Sequence, residues 1–107
     1  MIAAALLITV QAVPQNMLTA ADDANAAYVQ CLFQTSRAAN AARLSLEAFE
    51  TKLAASCIAE EQELVRTGTA VLNRRGQANA ASNARQLAKD ARRSVVQTYR
   101  QILELGQ

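Results

Sequence analysis

The chain contains two cysteines, Cys31 and Cys57, and they stand thirteen positions on either side of Leu44. In an antiparallel helical hairpin, residues equidistant from the turn face each other, so a turn centred on Leu44 would bring the two sulfurs together. The constraint holds only if both flanking stretches are helical, and the composition says that they are. The 107 residues include three glycines and one proline, Pro14, too few for sheets joined by turn-rich loops. Alanine accounts for 24 of them, and it is the best helix former and a poor core filler. Tyr28, Phe33, Phe49 and Tyr99 are the only aromatics. A small helical domain with so thin a core needs a staple.

The pattern predicts an all-α fold, an antiparallel helical hairpin extended to a three-helix bundle, with residues 22–107 forming one domain. A first helix is expected over about 22–42, opening on the acids Asp22 and Asp23. Ser45 reads as the N-cap of a second helix over about 46–75, with Glu47 in its first turn. Leu46, Phe49, Leu53, Cys57, Leu64 and Val71 keep one face of that helix, and Ala54, Ile58, Val65 and Leu72 widen it. Gly76 is placed to end it, after Arg74 and Arg75. A third helix is expected over about 82–105, with Ala84, Leu87, Ala91, Val95, Ile102 and Leu105 as its buried stripe and Tyr99 beside it. On the first helix Cys31 shares a face with Ala24, Ala27, Ala38 and Ala42, whose small side chains would let the backbones approach to disulfide distance.

Residues 1–21 read as a signal peptide and a mature N-terminal tail. Met1–Val10 is an uncharged apolar run too short to span a bilayer, and it ends in Val10-Gln11-Ala12, small residues where a signal peptidase reads. A basic residue before the run is missing. Cleavage is expected after Ala12, with Ala21 as the second candidate. The competing reading, an ordinary first helix over Ile2–Val10, would need a polar face that the run lacks. Export implies a periplasmic or secreted protein, and an oxidising compartment favours a Cys31–Cys57 bond over two buried thiols.

No catalytic signature accompanies this frame, and no enzyme is expected. There is no histidine, which removes the usual general base and the commonest metal ligand. Cys31, Cys57, Glu60 and Glu61 could in principle hold zinc, but only as reduced thiolates in a compartment that oxidises them. Glu60, Glu61 and Glu63 read as a solvated acidic face, and neither a cofactor nor a metal is called for.

Charge is the remaining signal. Residues 1–65 carry a net −4 and residues 66–107 a net +6. On the third helix Arg85, Lys89, Arg92, Arg93 and Arg100 fall within an arc of about 100°. The ridge has two explanations, an anionic partner or neutralisation by acids of the second helix. Glu61 lies within the apolar arc of the second helix, where a carboxylate needs a partner. Antiparallel register pairs it with Arg92, or with Arg93 if the register slips. Export, and bases without interleaved aromatics, argue against nucleic acid. The lack of large apolar residues around the ridge, apart from Val96 and Leu103, argues against a membrane surface. Those two lie inside the basic arc as expected exposed contacts for a protein partner.

The stretch Ala27-Tyr28-Val29-Gln30-Cys31-Leu32-Phe33, with Cys57-Ile58-Ala59-Glu60-Glu61 downstream, resembles uncharacterised small exported disulfide-linked helical proteins of bacteria. The resemblance covers residues 22–66 and implies a periplasmic, disulfide-linked hairpin without implying an activity. A looser likeness is to the periplasmic lysozyme-inhibitor-like proteins, which carry more cysteines, so no inhibitory residue transfers. The function expected from the sequence is a small periplasmic protein that works through protein–protein contact or as a structural module. The alternative is a binding module for an anionic surface (acidic protein, lipid or nucleic acid) through the basic third helix.

Overall fold

The structure, a computed structural model, describes residues 12–106, so most of the predicted signal peptide lies outside the described residues. The described chain is all-helical, with α1 (Gln15–Ala41), α2 (Leu46–Ala55), α3 (Ile58–Arg74) and α4 (Ala80–Leu105). α1 begins seven residues before Asp22. Pro14 stands at its N-cap, where a missing N–H costs nothing, and its carbonyl accepts from Met17 and Leu18.

The turn after α1 is built as the hairpin requires. Arg43 takes a left-handed conformation, φ 57°, and the Leu44 N–H returns to the Ala39 carbonyl at 3.0 Å, closing the helix end. Ser45 then caps α2, its hydroxyl accepting from the Ala48 N–H at 3.1 Å. Tyr99 of α4 clamps the turn by donating to the Leu44 carbonyl at 2.7 Å. At the far end Gly76, φ 80°, terminates α3 in the same manner, with the Gln77 N–H returning to Leu72 at 3.0 Å.

One expected helix proves to be two. Residues 46–75 are interrupted at Ser56, which is extended, and Cys57, which is left-handed at φ 63°. Neither residue is glycine or proline, and a left-handed non-glycine costs on the order of 1 kcal/mol, so tertiary contacts hold the break. Those contacts are on both sides of it. Cys57 is bonded to Cys31 with a Cα–Cα distance of 5.8 Å across a sequence separation of 26. Phe49 and Leu53 of α2 are fully buried, and the Phe49 ring stacks on Tyr99 with centroids 4.1 Å apart. Closing the disulfide loop contributes about 3.5 kcal/mol by the chain-entropy estimate.

The core runs through Tyr28, Leu32 and Ala39 of α1, Phe49 and Leu53 of α2, Cys57, and Ala88, Val95 and Tyr99 of α4. Three of the four aromatics are therefore interior, which is how a chain poor in large apolar residues fills its centre. The face that α4 buries is rotated by about 35° from the expected stripe. Ala80, Ala84, Ala88, Val95 and Tyr99 point inward, while Leu87, Ile102 and Leu105 are exposed. Two tyrosines set this rotation, because Tyr28 packs beneath the Ala88 backbone and Tyr99 reaches the Leu44 turn. Val96 and Leu103 rotate with them and pack against the core instead of standing free on the basic arc. Ile58 is also exposed, as are Ala27, Ala38 and Ala42. Of the alanines expected to face the other cysteine, only Ala24 is buried.

Candidate functional site

Ionic and hydrogen-bonding side chains converge at one level of the molecule, where Tyr28 of α1, Glu61 of α3 and Arg92 of α4 meet. The register set by the disulfide puts them there. Three residues back from Cys31 and four forward from Cys57 lead to Tyr28 and Glu61, which face each other across α1 and α3. The Tyr28 hydroxyl lies 3.2 Å from Glu61 Oε1 and 3.2 Å from the Ala88 carbonyl oxygen, so its single proton serves either acceptor. Arg92 Nη2 donates to the same Glu61 oxygen. The carboxylate and guanidinium keep only 31% and 33% side-chain exposure, low enough for the pairing to matter energetically.

This is the Glu61–Arg92 pair expected from antiparallel register, with a third member that the charge argument did not supply. Tyr28 was visible in the sequence as an aromatic among alanines on the Cys31 helix. A phenol in a thin core must find a hydrogen-bond partner, and that was its signal. Burial raises the Tyr28 phenol above its ordinary value of 10.0, and the Glu61 carboxylate pushes the same way against the opposing pull of Arg92. Burial pulls Arg92 down, but Tyr28 and Glu61 together outweigh it and hold the guanidinium above its ordinary value.

Arg92 is thereby withdrawn from the ridge. The other members, Arg85, Lys89, Arg93 and Arg100, are exposed on α4, and Arg93 makes only a 3.5 Å contact with Asp90 on its own helix. Arg66 of α3 is neutralised locally by Glu63 at 3.0 and 2.5 Å. Arg66 and Arg85 flank a shallow 310 Å³ groove between α3 and α4, with Glu61, Gln62 and Val65 completing its lining. The arrangement offers cations to an anionic surface along α4, and it places one carboxylate among them.

Cys31 and Cys57 are joined, so neither offers a thiolate. Among the described residues no group of three or more metal-ligating side chains gathers, and no helix is long and apolar enough to cross a membrane. Comparison with known proteins finds no family model, no curated protein and no solved structure that matches the chain.

The junction makes two measurable demands. A double-mutant cycle on Glu61→Ala and Arg92→Ala should give a coupling of about 1 kcal/mol in denaturant unfolding, whereas an unpaired ridge would give none. The second concerns pH. A phenol raised on folding contributes stability that is fully present below its unfolded value and is lost as pH rises through the folded one. Stability should therefore hold through neutrality and fall above about pH 10. Tyr28→Phe should lose this part of the alkaline decline while sacrificing about 1 kcal/mol at neutral pH. An unchanged alkaline limb in Tyr28→Phe would show that the phenol is not linked to folding.

Proposed function

We propose that this chain is a small, exported, non-enzymatic protein of the periplasm that acts through protein–protein contact or as a structural module. The observation that carries the reading is the placement of large apolar side chains outside a covalently stapled frame. Phe33 is 46% exposed and Leu87 60% exposed, although the chain has few such residues to spend on its core. Exposed apolar groups on a helical scaffold serve contact with another macromolecule when they share a face. Asp22 and Phe33, three helical turns apart, share one flank of α1. Asp22 and Leu87 line one groove, so the α1 and α4 flanks adjoin.

The frame works as a three-helix bundle in which α2 and α3 together make one broken member. Export fits the disulfide, since an oxidising compartment maintains it. Cleavage after Ala12 leaves α1 whole from Gln15, whereas cleavage after Ala21 would remove its first two turns. Ala12 is accordingly the proposed site. The likeness to small exported disulfide-linked helical proteins agrees with this placement.

A second reading rests on the four exposed bases of α4, Arg85, Lys89, Arg93 and Arg100, which would bind an anionic surface. Salt separates the two. The oxidised, tagged chain is used to capture partners from periplasmic extract, and the bound fraction is washed with increasing salt. An apolar protein contact should survive salt that releases a basic-ridge contact. Mass spectrometry of the same preparation should find the mature N-terminus at Val13. Recovery of an intact Met1 from the cytoplasm, with no captured partner, would contradict the reading.

A further inference from the structure

The walls of one groove come from α1 and α4 and its floor from α3. It has a volume of about 340 Å³. Leu64, Gly68, Val71 and Leu72 form the floor, and Leu87 stands at its edge with 60% of its surface exposed. An apolar hollow and an apolar projection thus lie side by side on one face. A contact between two copies about a twofold axis uses one self-complementary patch, and this arrangement suits it, because the projection of each copy can enter the hollow of the other.

Charge supports the same occupant. The groove carries one acid, Asp22, and one base, Arg75, and neither forms an ion pair among the described residues. With a twofold axis placed between them, Asp22 of one copy would face Arg75 of the other, twice. The flank of α4 that carries Leu87 is also free of cations. Arg85, Lys89, Arg92 and Arg93 lie about 120–160° around the helix from Leu87, so two copies can approach without opposing their ridges. Along the Leu87 flank the neighbours are Asn83, Ala91, Ser94 and Thr98, small enough to admit a facing helix.

We infer that this groove is a self-association surface, which a second copy of the chain covers through exchange of Leu87 and paired Asp22–Arg75 contacts. The inference builds on the protein-contact reading above and names its partner.

Sedimentation of the full oxidised chain over a range of concentrations provides the test. The wild-type chain should show a concentration-dependent dimer, and Leu87→Asp should weaken it about tenfold or more without loss of helicity, because Leu87 is largely outside the core. Asp22→Arg and Arg75→Asp should each weaken the dimer, since each opposes like charges twice. Mixed in equal amounts, these two variants should form a heterodimer, because both cross-contacts are then opposite in sign. A wild-type chain that is monomeric throughout would overturn the inference, as would a dimer indifferent to Leu87→Asp or a mixture that stays monomeric. Capture of a different protein by a monomeric chain would preserve the broader contact reading while removing this one.

Discussion

The Cys31–Cys57 bond sets the register on which the other contacts depend. It fixes α1 against the start of α3, and that alignment brings Tyr28 opposite Glu61 and Leu32 into the core beside Phe49 and Leu53. A chain with so many alanines cannot select one helix register by apolar packing alone. Sliding one alanine face along another exchanges similar small surfaces, and little free energy separates the alternatives. A covalent link removes the alternatives outright. It also holds Cys57 in a left-handed conformation that an untethered helix would leave for the helical region.

Noncovalent interactions then complete what the bond begins. Tyr99 reads the hairpin turn through the Leu44 carbonyl and covers Phe49, tying α4 to α2. Tyr28, Glu61 and Arg92 tie all three long helices at the next level, and the salt bridge joins the acidic half of the sequence to the basic half. Charge separation along the chain is in this respect partly a packing device. Arg92 is consumed by it, and the remaining bases of α4 stay in solvent, which leaves a surface whose charge is lower than the sequence count implies.

Sequence patterns revealed the helices, the hairpin turn, the Ser45 cap, the Gly76 stop and the pairing of Glu61 with Arg92. Each depends on local chemistry or on counting from a turn. The break at Ser56–Cys57 was hidden because Thr51–Glu61 contains no breaker and its apolar row continues through the interruption. Only the three-dimensional demand of the disulfide and the buried α2 face creates it. The rotation of α4 was hidden for a related reason. Hydropathy favours Leu87 over Ala88 as an interior residue, but the backbone above Tyr28 must come close, and only the alanine allows that. The exposure of Leu87 was invisible for the same reason, since it belongs to the stripe expected to be buried.

If the disulfide supplies the register, its removal should release specific elements rather than weaken the fold evenly. α2 is ten residues long, too short to persist as a helix without its packing, and the first turn of α3 begins at the bonded Cys57. Amide hydrogen exchange before and after reduction measures this directly, residue by residue. Reduction should strip protection first from α2, the opening turns of α3 and the Tyr28 turn of α1, while the centre of α4 exchanges later. Equal exchange rates in the oxidised and reduced chains through α2 and the start of α3 would contradict it.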